Sequence, residues 1–302
     1  MRPIVLVTGA TGRSGRHFLQ QLSSAPQAEE FRWRMTARPT SDATVISGSG
    51  LVIETVVGDL GDTEFLEKAL LGVDTILHIA GIQRSLPIVE TALRTGVKRI
   101  ILVHTTGIYS KYKAASSEYL EIERKVREML TGTSTQCTIL RPTMVYGSLD
   151  DNNISVFLRM VDRVRLFPVV DGGRFNLQPV HHQDLGQAYL SVLMNPVATK
   201  NKDYILSGKY PIDLVDILSL MSTYLGKRTL FFSIPFRLAY VCAVVLHLAT
   251  LGRVDLRERV QRLVEPRAFS HSEATSDFGY SPIDFKDGLR TEVDAYTASR
   301  GR

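Results

Sequence analysis

Two rhythms of apolar residues divide the first half of the chain. Ile4-Val5-Leu6-Val7 is an unbroken apolar run, as expected of a strand buried on both faces of a parallel sheet. Further strands are predicted at Phe31 to Thr36, Leu51 to Val57, Thr75 to Ile79 and Arg99 to Val103. Between them lie stretches of helical period: about Arg13 to Ser23, Asp62 to Leu71, and Leu86 to Thr95, the last ending at Gly96. Strand and helix alternate in this way through Val145, which predicts an α/β fold built on a doubly wound parallel sheet. From Ser148 the pattern changes. Asp151 to Val164 is helical, with Ile154, Phe157, Leu158 and Val161 on one face, and Phe167 to Gly173 reads as a strand and turn. Tyr204 to Gly208 suggests a short strand, and Ile212 to Leu225 an amphipathic helix ending at Gly226. Residues 1–147 are therefore expected to form the main domain, with its sheet completed by about 178–201. Residues 148–177 and 202–302 are expected to form a smaller mixed α/β domain.

The junction of the first strand and helix carries the candidate chemistry. Thr8-Gly9-Ala10-Thr11-Gly12-Arg13-Ser14-Gly15 places glycines where a strand must turn sharply, where backbone must approach a pyrophosphate, and where helix and strand must pack closely. The phosphates would lie on the helix N-terminus, whose unpaired N–H groups and dipole favour anions. The second strand ends in Ala37-Arg38-Pro39-Thr40-Ser41, without an acid to accept from the 2′-hydroxyl of NAD. Arg38, helped by Arg13 and by Thr40 or Ser41, favours the 2′-phosphate of NADP, with NAD as the alternative. Asp59 and Leu60 follow the third strand, and Asp59 also suits the cap of the next helix. Ala80 and Gly81 are small enough to lie beside a cofactor.

The spacing T-G-x-x-G-x-x-G resembles the nucleotide loop of the short-chain dehydrogenase/reductase superfamily, in particular its extended and atypical, epimerase/dehydratase-like branches. Thr138 to Gly147, TILRPTMVYG, resembles a later strand and loop of the extended members, including Pro142. The resemblance implies a Rossmann sheet, an adenine contact for Asp59-Leu60, and a hydroxyl residue at Thr105 or Thr106. It also implies a Tyr-x-x-x-Lys on the following helix, whose tyrosine exchanges a proton with substrate while its lysine lowers the tyrosine pKa. Counting back from Arg141-Pro142 gives Tyr119, and the residue four positions on is Glu123. A cation about 4 Å from a phenolate contributes roughly 4 kcal/mol at an effective dielectric near 20, and an anion reverses the sign. Three readings follow. Glu123 is itself the acid/base group, with a raised pKa, and Tyr119 positions substrate or ribose; or Tyr109 and Lys113 supply the pair; or the cofactor binds without turnover, as in redox sensors and assembly factors. His104 reads as a satisfied strand-end histidine.

The rest of the composition narrows the class. Lys and Arg number 36 against 31 Asp and Glu, a net charge of +5 over 302 residues, and the basic residues are scattered. Solvated faces account for them without nucleic acid. Cys137 and Cys242 sit in apolar surroundings and read as reduced packing residues of a cytoplasmic protein, with no leader sequence at the start. His181-His182 has no acid or thiol at ligand spacing, so no metal is expected. Arg174, Asn176 and Gln178 alternate along a strand and suit either a polar substrate or solvent. Leu230 to Leu251 is the most apolar stretch. Its charge-free centre, Leu238 to Leu246, is too short to cross a bilayer and is expected to be a buried helix, with peripheral membrane contact or a homodimer face as alternatives. The chain is thus expected to be an NAD(P)-dependent oxidoreductase or epimerase-like enzyme for a small-molecule substrate bearing a hydroxyl or carbonyl, of nucleotide-sugar kind or smaller. The rival is a catalytically silent cofactor-binding protein.

Overall fold

The computed structural model describes residues 2–112 and 114–300. Seven parallel strands form the central sheet: β1 (Ile4–Thr8), β2 (Arg32–Ala37), β3 (Ile53–Val57), β4 (Thr75–His78), β5 (Arg99–Val103), β6 (Gln136–Pro142) and β11 (Asp203–Leu206). Their spatial order is β11-β6-β5-β4-β1-β2-β3. Chain order reverses between β1 and β4, and ligands bind in such sheets at the carboxyl ends of the strands flanking this point. Side chains of β1 alternate between two separate cores. Val5 and Val7 pack with Phe18 and Leu22 of α1 (Arg13–Ser23) and with Tyr189 of α7 (His182–Met194). Leu6 faces the other way, towards Leu66 of α3 (Thr63–Leu70), Ile88 of α4 (Ser85–Thr95) and Val126 of α5 (Ser116–Leu130). That explains the unbroken apolar run: both faces are covered by helices.

The smaller part has its own core. Ile154, Leu158 and Val161 of α6 (Ile154–Arg163) meet Leu214, Ile217, Leu218 and Met221 of α8 (Leu214–Tyr224). Phe285, Leu289 and Val293 of α12 (Phe285–Arg300) close it, each set at the three-to-four-residue spacing of one helix face.

Three expectations need correction. The strand at Tyr204 belongs to the main sheet as β11, paired in parallel with β6, whereas 178–201 supplies the covering helix α7 rather than a strand of that sheet. The apolar stretch from Leu230 is not one buried helix. Pro235 divides it into β13 (Leu230–Ile234) and α9 (Phe236–Ala249), and Ala243 is the only buried residue that α9 shows among the described residues. Cys242 on that helix is accordingly exposed, while Cys137 is half-buried and burial pushes its thiol up to about 12.

Candidate active site

The turn from β1 into α1 shows why each glycine is needed. Gly9 has φ +78°, and a Cβ there would stand 2.7 Å from the Ala80 nitrogen on the neighbouring strand end. At Gly15 a Cβ would lie 2.2 Å from the Gly9 carbonyl oxygen, so helix and turn can touch only without a side chain. Gly12 is different. A Cβ there would meet only the Gly9 oxygen, at 3.2 Å, and otherwise open space. Gly12 occupies the N-cap of α1, no side chain caps that end among the described residues, and no acid sits in the first turn. The first-turn N–H groups thus point at a cavity with no internal acceptor.

That cavity, of about 660 Å³, is lined by Gly9, Thr11, Gly12, Arg13 and Ser14 at the turn, and by Arg38, Thr40 and Ser41 at the end of β2. Asp59, Leu60, Ala80 and Val145 complete its far side. Behind it, fully buried His78 accepts from the Thr8 hydroxyl at 2.7 Å and donates to the Gly81 carbonyl at 3.0 Å, an assignment that fits its neutral form. Burial lowers its pKa to about 4, so this brace carries no charge at neutral pH.

A second cavity of about 300 Å³ begins at Val145, which lines both. Thr105, Thr106 and Tyr109 follow β5 into its wall, and Gln178, Arg262, Glu265, Arg267 and Phe269 close it from the opposite side. Glu265 fastens the two walls together by accepting from the Ser110 hydroxyl and the Lys111 backbone N–H, both at 2.7 Å. The hydroxyl of Thr105 accepts from the Gly107 N–H at 3.0 Å, leaving its own hydrogen available to the cavity. Thr106 instead donates to the Pro142 carbonyl at 3.1 Å.

The helix expected to complete this site lies apart from it. Tyr119 is 8% exposed, its oxygen accepts from Gln83 Nε2 at 3.2 Å, and it lines neither cavity. Glu123 is buried in a polar cluster. Arg141 Nε donates to its Oε1 at 2.9 Å, His104 Nδ1 donates to the same oxygen at 2.9 Å, and Asp203 takes Arg141 from the other side at 2.9 Å. Burial alone would raise the Glu123 pKa, but the hydrogen bonds from His104 and Arg141 outweigh it and hold the carboxyl at about 2. Glu123 is therefore ionised, paired and turned away from both cavities, which overturns the expectation of a proton-carrying acid with a raised pKa. His104, lowered by burial, also accepts from the Ser85 hydroxyl at 2.9 Å, so both ring nitrogens are satisfied.

Residues 9–196 match the NAD(P)H-binding family, well over half of the chain. The chain belongs to that family. A ceramide reductase of Caulobacter vibrioides is 23% identical to it over 65% of this chain and 62% of its own length. The chain thus spans somewhat less than two-thirds of that relative. An Escherichia coli O157:H7 4-epimerase acting on N-acetyl-α-D-glucosaminyl-diphospho-ditrans,octacis-undecaprenol is 20% identical over 78% of this chain and 81% of its length. The fold is shared with a dTDP-glucose 4,6-dehydratase from Streptomyces venezuelae, solved with NAD bound, at TM-score 0.74 and 19% identity over 99% of this chain and 98% of the other.

For a member of the NAD(P)H-binding family, the cradle and its cavity fit a dinucleotide in shape and polarity. Several anticipated contacts are placed differently. Arg13 lines the cavity, but its Nε is bound to Asp150 Oδ1 at 2.9 Å, so its guanidinium is already engaged. Asp59 is not a helix cap; Asp62 caps α3, accepting from the Glu64 and Phe65 N–H groups. The Asp59 carboxylate instead accepts from the Gly61 N–H at 2.7 Å and lies 3.6 Å from Arg84. Gly15, Gly81 and Pro142 stand behind the cavity walls rather than on them. Asp42, an acid not foreseen, does line the cavity, and its Oδ1 accepts from both the Thr44 N–H and the Thr44 hydroxyl. Arg262 and Arg267 were also missed; they reach the second cavity from a short helix and the loop after it, more than 150 residues beyond Thr105, at no spacing a sequence motif would mark. Lys113 lies outside the described residues. Among those residues no group of three or more His, Cys, Asp or Glu is arranged to hold a metal ion.

Proposed function

We propose that this member of the NAD(P)H-binding family is an NADP-dependent oxidoreductase or epimerase-like enzyme that exchanges hydride with a hydroxyl or carbonyl of a substrate held in the second cavity. The observation that supports this reading is Val145, which lines both cavities, so the cavity that Thr105 lines adjoins the one that Arg38 lines. When bound, the nicotinamide supplies or accepts the hydride. The remaining work falls to the chain. The α1 N-terminus and Gly12 receive the diphosphate, and Arg38 with Thr40 and Ser41 receives the 2′-phosphate of the adenosine ribose. At the other end Thr105 donates to the reacting oxygen. Arg262 and Arg267 line that cavity and favour a substrate with an anionic group beside that oxygen. The ceramide and undecaprenol substrates in the names of the two relatives support a lipid or lipid-linked molecule as substrate.

A second reading is favoured by Glu123. We read it as standing where the superfamily places its lysine, and here it is locked to Arg141, so a cofactor-binding protein with little turnover is the rival. Titration with NADPH and NADH, followed by nicotinamide fluorescence, tests the nucleotide assignment: NADPH is expected to bind tighter, and equal affinities would overturn it. Thr105→Val then separates enzyme from binder. It is expected to abolish slow NADPH oxidation by carbonyl compounds while leaving NADPH affinity unchanged, and a protein with no such oxidation to lose is the binder.

A further inference from the structure

Helix α9 is an apolar element that the fold leaves largely uncovered. It contains no Lys, Asp or Glu, and its one arginine, Arg237, is at its second position. Leu238, Val241, Val245 and Leu248 fall on one side of the helix and are 55%, 55%, 58% and 67% exposed. Leu251, just beyond the helix end, is 89% exposed. An apolar face of this extent marks a contact with something outside the chain.

Charge decides between occupants. From residue 227 to 263, which takes in the helix packed against α9, seven basic side chains (Lys227, Arg228, Arg237, Arg253, Arg257, Arg259 and Arg262) stand against two acids, Asp255 and Glu258, and Asp255 is already paired with Arg257 at 2.6 Å. In a two-fold pair of chains the same patch meets itself, which would set this basic excess against its own copy. A bilayer with anionic headgroups offers the reverse: acyl chains for the leucines and valines, phosphates for the arginines at both ends. At about 21 Å the helix is too short to cross a hydrocarbon layer of about 30 Å, so it would lie in the interface.

We propose that α9 docks flat on anionic membrane surfaces, with Leu238, Val241, Val245 and Leu248 in the headgroup–acyl boundary and Arg237 and Arg253 on lipid phosphates. Helix α10 (Arg257–Leu263) packs against α9 and carries Arg262 to the wall of the second cavity, so the docking helix and that wall form one structural unit. The docking does not depend on the reaction assigned to the cavity.

Co-sedimentation of the full chain with phosphatidylcholine vesicles, with and without phosphatidylglycerol, tests this. The protein is expected to pellet with the mixed vesicles, about tenfold more weakly with phosphatidylcholine alone, and less as salt is raised. Replacing Val241→Glu and Val245→Glu together is expected to abolish pelleting while melting temperature and NADPH affinity stay at their original values; both positions are exposed. NADPH titration of the same samples shows separately whether the nucleotide site is intact. Failure to pellet with the mixed vesicles overturns the proposal, as does undiminished pelleting of the double variant. A dimer in sedimentation velocity that the double variant splits would give the face to a second copy and likewise overturn it.

Discussion

Two corners of one sheet, at the carboxyl ends of β1 and β5, treat their polar groups in opposite ways. At β1 the first-turn amides of α1 have no internal acceptor and open on a cavity, held by glycines that keep side chains out. At the end of β5, His104 and the neighbouring Glu123, Arg141 and Asp203 satisfy one another inside the protein. The first corner is built to bind something. The second is built to stay as it is, because removing one partner from a buried ion pair leaves an uncompensated charge. A residue that a family resemblance assigns to a catalytic register can therefore be a structural one in space.

The change expected to cost most is Glu123→Lys. In the structure the new ammonium would be forced against Arg141 and His104, and the expected outcome is a loss of about 4 kcal/mol or more in urea unfolding. Wild-type stability in that variant would break the contrast between the two corners.

Next comes the seam between the two parts of the molecule, where Glu292 accepts from the Gly147 N–H at 3.1 Å and burial pushes its pKa up to about 8. Its folded pKa lies above its unfolded value near 4.5, so the folded state holds the proton more tightly. The stability this contributes is present at low pH and declines as pH rises from about 4.5 to about 8. Glu292→Gln is expected to gain about 3 kcal/mol relative to the parent between pH 5 and 9, read from urea midpoints; parallel pH curves for the two proteins would refute it. His78, His181 and His182 act at the acid end. Burial lowers them to about 4, 4 and 3, so their contribution is lost as pH falls below about 6.5, when the unfolded chain takes up protons first.

Gly15→Ala probes the open corner directly. The methyl group would push the turn off the helix end and misdirect the amides, each worth about 1.5–3 kcal/mol to a charged group. NADPH affinity is expected to fall about 100-fold with the circular-dichroism spectrum retained; unchanged affinity would mean that the diphosphate lies elsewhere. Arg38→Ala should have the smallest effect, weakening NADPH about tenfold and leaving NADH as it was, since one exposed phosphate contact is lost.

The order of elements and the glycine turn were legible in the sequence because both are local. Four apolar residues, then glycines at fixed offsets, encode a strand, its turn and the helix that follows. Partnerships across the sheet were not legible. Glu123 finds Arg141 eighteen positions on and Asp203 a further sixty-two beyond that, and neither separation follows from a helical or strand period. The wall formed by Arg262 to Phe269 has the same cause, being delivered by the packing of the smaller part rather than by a motif. The fate of Leu230 to Leu251 was hidden differently: hydrophobicity reports that a segment prefers to leave water, and is silent on whether the fold has room for it.

The Arg13–Asp150 bridge joins the glycine turn to the loop after β7 (Val145–Tyr146), across 137 residues of sequence, and both side chains remain in contact with water. Arg13 also lines the larger cavity, so added electrolyte that screens the pair is expected to loosen that part of its wall and to quicken coenzyme exchange.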